Sequence, residues 1–233
     1  MSLWDRIFYR IPFITELVNQ GLSKNLGIMA AWHLISRAGI EGDYLEFGVY
    51  RGDTFRNSMV SARNCFRATT AGTYGGRFFA FDSFEGLPTV EKGTTESDVY
   101  EAGEFCASIA TFRRTIGSVI RWFPVHIIEG WFDISLTDAV MKQFEMTKAA
   151  FVNIDCDLYE STIPVLNFIT PIIQTGTVLY FDDWFSIKGS EAEGEAKACA
   201  EWLKRNPHLS LVHYRNVGIT GKMFLVQVAS KTQ

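Results

Sequence analysis

Residues 43–54 read Asp43-Tyr-Leu-Glu-Phe-Gly-Val-Tyr-Arg-Gly-Asp-Thr54, an apolar run that closes on two glycines four residues apart. The run predicts a strand over Asp43–Val49 that enters a glycine turn at Gly48 and Gly52, followed by a helix over Thr54–Cys65. Strand, glycine turn and helix in that order open a parallel α/β sheet, in which ligands bind beyond the carboxyl ends of the strands. The dinucleotide fingerprint is not met, because the third glycine and its spacing are missing. A bare structural turn is therefore the competing reading of this motif taken alone.

Working outward, residues 13–38 read as helical segments with a break near Gly21–Ser23 and a stop at Gly39, so residues 1–39 form an N-terminal helical cap. Arg77–Phe81 predicts a second strand ending at Asp82. The stretch Glu85–Ala107 is polar, acidic and glycine-bearing, and predicts a mobile lid over 85–107 rather than a core element. Strands follow over Val125–Glu129, Ala150–Ile154 and Gly176–Phe181, with helices over Ser108–Arg121, Ser135–Phe144, Ser161–Ile173 (Pro164 in its first turn) and Glu191–Asn206. Leu209–Tyr214 and Lys222–Val228 read as a closing hairpin. The expected architecture is a single α/β domain over 1–233, a doubly wound, mostly parallel seven-stranded sheet with N-terminal helices.

Composition agrees with one well-packed domain: 233 residues, 47% hydrophobic and 21% charged. A net charge of −4 and the absence of any Lys/Arg stripe exclude nucleic acid as an expected partner. Cys65, Cys106, Cys156 and Cys199 are scattered with no C-x-x-C pair, as expected of free thiols in a reducing cytoplasm. Asp5, Arg6, Arg10 and Pro12 interrupt any signal-peptide core, and no apolar stretch is long enough to span a bilayer, so a cytoplasmic location without an integral membrane segment is expected. Trp4, Phe8, Ile11, Phe13, Leu17 and Trp32 predict apolar helix faces that need burial, partly against a second subunit, which makes a homodimer the expected state.

The chemistry-bearing residues cluster at predicted strand ends. Asp82 closes the second strand, 36 residues after Glu46, where an acid can accept both hydrogen bonds of a ribose diol or cap the following turn. Asn153-Ile-Asp155-Cys-Asp157-Leu-Tyr-Glu160 ends the fourth strand and Tyr180-Phe-Asp182-Asp183-Trp184 the fifth. Asp155 and Asp182 are 27 residues apart, right for one helical crossover between adjacent strands, so Asp155, Asp182 and Asp183 should meet. Such carboxylates repel unless a cation sits between them, and an all-oxygen set without a Cys–His cluster favours Mg²⁺, Mn²⁺ or Ca²⁺ over zinc. Asp157-x-x-Glu160 matches a capping box for the next helix, which sets Asp157 apart from the ligands.

The remaining candidates carry less. His33 could reach the sheet mouth from its helix, His126 sits among apolar strand residues, and His208 and His213 are expected to face solvent. Gly130-Trp131 ends the third strand, where an aromatic wall for an adenine and plain packing are both open readings. Glu191–Glu195 reads as a solvated helix face.

Four segments together resemble the macrocin O-methyltransferase family, whose members methylate deoxysugar hydroxyls on macrolide antibiotics. They are Leu45-Glu-Phe-Gly-Val-Tyr-Arg-Gly52, Phe81-Asp-Ser-Phe-Glu-Gly-Leu-Pro88, Ile154-Asp-Cys-Asp-Leu-Tyr-Glu-Ser-Thr162 and Phe181-Asp-Asp183. The second and third are specific, whereas the glycine motif is shared by most Rossmann-like class I methyltransferases. The resemblance implies S-adenosylmethionine over the Glu46–Gly52 turn, with Gly48, Thr54, Ser83, Gly130 and Trp131 counted among its contacts and Asp82 on the ribose. It implies Mg²⁺ (or Mn²⁺) on Asp155, Asp182 and Asp183, and a small-molecule hydroxyl acceptor of natural-product biosynthesis. Metal-dependent catechol methyltransferases place a lysine base three residues after the first metal aspartate. Here that position is Leu158, which leaves Asp155 or His33 as the expected base. Metal-dependent hydrolysis would leave the glycine turn without a purpose, and a non-catalytic nucleotide-binding protein would not need the intact acids.

Overall fold

The computed structural model describes residues 3–69 and 72–229, with residues 3–20 described by their backbone alone. Its strands are β1 (Asp43–Phe47), β2 (Phe78–Asp82), β3 (Val125–Glu129), β4 (Ala149–Ile154), β5 (Val178–Phe181), β6 (Leu209–Val217) and β7 (Gly221–Val228). They form one sheet in the order β3-β2-β1-β4-β5-β7-β6, parallel from β3 to β5 and antiparallel through β7 and β6. This is the expected seven-stranded, mostly parallel sheet, closed by the expected hairpin.

Every residue of β1 and β4 is buried, the mark of parallel strands covered on both faces. Alternation along the strands divides the side chains between two cores. On one face Tyr44, Phe78 and Phe151 pack with Trp32 of α1 (Leu3–Ala38), Phe55 of α2 (Asp53–Arg67) and Phe112 of α3 (Ile109–Ile116). On the other, Leu45, Phe81 and Val152 pack with Leu166 of α6 (Tyr159–Ile169) and Trp202 of α7 (Gly194–Arg205). Two short helices, α4 (Phe132–Ser135) and α5 (Asp138–Gln143), stand where one helix over Ser135–Phe144 was expected.

The expected break at Gly21–Ser23 is absent: α1 runs unbroken from Leu3 to Ala38. The residues that weaken its helix propensity serve tertiary contacts instead. Ser23 Oγ accepts the Gly218 amide at 3.1 Å, and Gly27 lies so close to Val217 that a Cβ there would come within 2.7 Å of its methyls. The turn between β6 and β7 thus docks on the small-residue stripe of α1. Trp32 is fully buried in the domain's own core, while the expectations for Trp4, Phe8, Ile11, Phe13 and Leu17 fall outside the described side chains.

A second correction concerns α6, which starts at Tyr159, two residues before the expected start, with Leu158 at the N-cap and no side-chain cap of its own. Asp157 is not the cap; its backbone is left-handed, with φ of 64°. Pro164 accordingly lies inside the helix rather than in its first turn. The segment 85–107 carries a single 3₁₀ turn at Glu96–Asp98. It is drawn together at its neck, where the Leu87 amide donates to the Glu104 carbonyl and the Gly103 amide to the Leu87 carbonyl, both at 2.9 Å.

Candidate active site

The carboxyl ends of β1, β2, β3, β4 and β5 open into one cavity of about 630 Å³. Its floor on the β1 side is the turn Gly48–Gly52. Gly48 has φ of 84°, and a Cβ there would fall 1.8 Å from the Asp155 carbonyl oxygen, so only glycine fits between the ends of β1 and β4. Gly52 has φ of 89° and presses on the Phe112 ring. It occupies the N-cap of α2 without a side-chain cap, leaving the first amides of that helix, at Asp53 and Thr54, for whatever fills the cavity.

Asp82 holds that turn in place. Its Oδ2 accepts the Val49 amide at 2.7 Å and the Tyr50 amide at 3.0 Å, and its Oδ1 accepts the Phe84 amide at 2.7 Å. A carboxylate offers about four acceptor sites, so three amides still leave one for a ligand. Ser83, Gly130 and Trp131 line the same cavity, and Phe105 of the 85–107 segment walls it opposite.

Glu46 is a correction. It does not line the cavity but lies fully buried in β1, where the Tyr44 hydroxyl donates to its Oε2 and its Oε1 has no partner among the described residues. Strand alternation explains this, since Tyr44 and Glu46 point to the same face and away from the strand end. Burial pushes its carboxyl up to about 8, against the opposing pull of the Tyr44 hydroxyl and the Lys24 charge.

At the other end of the cavity Asp155, Asp182 and Asp183 converge, one carboxylate oxygen from each lying within 4.8 Å of the others. The Tyr180 hydroxyl donates to Asp182 Oδ1, and the Ser186 hydroxyl to Asp183 Oδ1 at 2.5 Å. Sequence reading missed Lys24, whose ammonium comes from α1 to donate to Asp155 Oδ2 at 3.1 Å and Asp182 Oδ2 at 2.7 Å. Burial acts to lower the proton affinity of Lys24, but the two aspartates outweigh it and hold the ammonium charged. Lys24 also outweighs burial at Asp182, whose carboxyl is lowered. Burial and the Asp182 charge raise Asp155 and Asp183, while burial and the Asp183 charge raise Asp157. One ammonium therefore leaves this group of carboxylates short of positive charge. The converging all-oxygen donor set fits a hard divalent cation, with Asp155, Asp182 and Asp183 as its ligands.

Glu195 was also missed. Far from a solvated face, it is fully buried and accepts the Asp183 amide at 3.0 Å, fixing the loop that carries two of the aspartates. Glu191 is exposed as expected, while accepting from the Trp184 indole and Lys222, each at 2.8 Å. The weak signal for Glu195 was Gly194 before it, a residue with φ of 52° at the start of α7. His33, expected as a candidate base, is exposed on α1 and lines neither described cavity, so it cannot serve the aspartates. His208 and His213 are exposed as expected, and His126 stacks on Phe79.

This sheet order, with a ligand-sized cavity across the carboxyl ends of its parallel strands, defines a Rossmann-like class I methyltransferase fold. The chain belongs to the macrocin O-methyltransferase (TylF) family, whose pattern it matches over residues 24–197. It is 30% identical over 157 residues to the 8-demethyl-8-(2,3-dimethoxy-alpha-L-rhamnosyl)-tetracenomycin-C 4'-O-methyltransferase of Streptomyces olivaceus, covering 63% of this chain and 54% of that protein. It is 27% identical over 159 residues to the mycinamicin III 3''-O-methyltransferase of Micromonospora griseorubida, covering 64% of this chain and 57% of that protein. The matches thus span little more than half the length of these curated relatives. The solved structure of the O-methyltransferase NovP superposes with a TM-score of 0.68 at 21% identity, covering 89% of this chain and 80% of that one, a likeness of fold. No described helix is long and apolar enough to cross a membrane.

Proposed function

We propose that this protein transfers a methyl group from S-adenosylmethionine to a hydroxyl of a sugar or related small-molecule acceptor, using Mg²⁺ or Mn²⁺ held by Asp155, Asp182 and Asp183. The observation that carries the reading is that one cavity joins the glycine turn, Asp82 and Trp131 to the aspartate cluster. Both relatives are named O-methyltransferases of natural products, and the name of one specifies a rhamnosyl substrate, which supports the acceptor class.

The chain's residues divide the work by position. The uncapped amides of α2 suit the methionyl carboxylate, the remaining acceptor site of Asp82 a ribose hydroxyl and Trp131 the adenine face. When bound, the cofactor supplies an electrophilic methyl and the divalent ion supplies charge that makes an acceptor hydroxyl easier to deprotonate. Asp157 also lines the cavity without capping a helix or accepting from Lys24, and its ionised form, beside the three ligands, is the group we assign to take the hydroxyl proton. Phe105, Leu87 and Pro88 of the 85–107 segment shield the cavity from water, and we assign that segment the role of lid.

The test is calorimetry with S-adenosylhomocysteine, followed by labelled methyl transfer to a panel of deoxysugar glycosides with and without EDTA. Absence of S-adenosylhomocysteine binding would overturn the function. Transfer at full rate in EDTA would remove the metal from it.

A further inference from the structure

The ammonium of Lys24 sits where a cation shared by Asp155 and Asp182 would sit, at 3.1 and 2.7 Å from their Oδ2 atoms. The lysine is only 27% exposed, and Asp155 and Asp182 are 22% and 21% exposed, so the contact is not a surface pairing diluted by water. An ammonium and a divalent ion drawn to those same two oxygens repel each other across a few ångströms. An ammonium and a divalent ion must therefore compete for them, in an environment where charge acts strongly.

The surroundings give the lysine somewhere to go. On the side of Lys24 away from the main cavity lies a second pocket of about 400 Å³ beneath the β6–β7 turn, lined by Gly21, Tyr180, Val217 and Thr220 together with Lys24 and Asp182. Lys24 and Asp182 line both cavities and form the partition between them. The second pocket reaches the surface at the exposed residues Gly218 and Ile219. The lysine stem is flexible, unlike the strand ends that hold the aspartates.

We infer that Lys24 is the resident cation of the aspartate cluster, that a divalent ion loads by displacing it into the pocket beneath the β6–β7 turn, and that α1 thereby sets the affinity for the ion. The inference rests on the reading of Asp155, Asp182 and Asp183 as metal ligands. Lys24 keeps the carboxylates from repelling one another before the ion arrives, and it opposes weak or adventitious loading. Both effects are lost if the charge is lost.

The experiment measures Mn²⁺ binding by the free-ion electron paramagnetic resonance signal, in wild type, Lys24→Met and Lys24→Arg. Lys24→Met is expected to bind Mn²⁺ at least tenfold more tightly than wild type, and Lys24→Arg no more tightly. A parallel measurement needs no variant: Lys24 in wild type is expected to react with a small acylating reagent several-fold faster with saturating Mn²⁺ than in EDTA, as read by mass spectrometry. Equal or weaker Mn²⁺ binding by a folded Lys24→Met overturns the inference, and so does unchanged Lys24 acylation; the metal reading survives both. If Lys24→Met does not fold, the acylation result decides alone. If wild type binds S-adenosylhomocysteine but neither it nor a folded variant binds Mn²⁺, the metal reading itself falls and the inference falls with it.

Discussion

Glu96 Oε1 accepts the backbone amide of Tyr159 at 2.7 Å, so the first turn of α6 is capped from a segment 63 residues upstream. The contact ties the 85–107 segment to the helix that follows the Asp155–Asp157 loop. Lys188 and Asp98 add an exposed ion pair at 3.2 Å beside it, of the kind that contributes little.

Removing that cap should loosen both partners. Glu96→Ala is expected to lower stability by about 1 kcal/mol, the usual value of an N-cap interaction. It should also make 85–107 the first site of limited proteolysis, with S-adenosylhomocysteine giving less protection than in wild type. Identical cleavage patterns would show that the anchor lies elsewhere.

Asp82 serves the turn and, on our reading, the cofactor. Asp82→Ala should weaken S-adenosylhomocysteine binding by at least about 1.5–3 kcal/mol, the value of a hydrogen bond to a charged group. Its loss also frees the Val49 and Tyr50 amides. Calorimetry showing wild-type affinity would remove Asp82 from the cofactor site.

Asp182→Asn keeps the size of a metal ligand and removes one charge. Turnover is expected to be lost while S-adenosylhomocysteine binding persists, because the residues we assign to the cofactor lie at the β1–β3 end of the cavity. Added Mg²⁺ should restore chelated wild type but not the variant; a variant rescued by Mg²⁺ would exclude Asp182 as an essential ligand.

Glu46 gives a pH signature. Burial raises its folded-state carboxyl to about 8, so the folded protein holds this proton more tightly than the unfolded chain does. The stabilising protonation is complete below the ordinary glutamate range and is lost as pH rises toward about 8. Wild type should therefore lose stability relative to Glu46→Gln between about pH 5 and pH 8, by on the order of a few kcal/mol. Parallel melting curves of the two proteins across that range would refute the assignment.

The sheet was legible because β1, β2, β4 and β5 are short apolar runs that each end in a glycine or an acid. The meeting of Asp155 with Asp182 and Asp183 followed from the same logic of adjacent strand ends. What the sequence concealed depended on facing direction and distance. Glu46 was assigned to the turn because of its neighbours, although strand alternation sends its side chain into the core. Asp157 and Glu160 fit a capping box in spacing, yet the left-handed backbone at Asp157 moves the helix start past it. Lys24 lies 131 residues from Asp155, and no local motif announces a contact of that range. Its only trace is the run of small residues Gly21, Ser23 and Gly27, which reads as a helix break until the β6–β7 turn is seen resting on it.

The near-contact of Gly48 with the Asp155 carbonyl gives the site a fixed baseline. The turn assigned to the methyl donor and the loop assigned to the acceptor are joined main chain to main chain, since the Asp155 amide also donates to the Phe47 carbonyl at 2.9 Å. On this reading the gap between donor and acceptor is set by the pairing of two adjacent parallel strands and is insensitive to the side chains around it. Phe105 and Ile134 on the cavity wall belong to other segments and can be exchanged without altering that gap. Acceptor preference is free to drift through the wall residues while the reach of the transfer stays constant, a separation that would let one scaffold be retuned to many sugars.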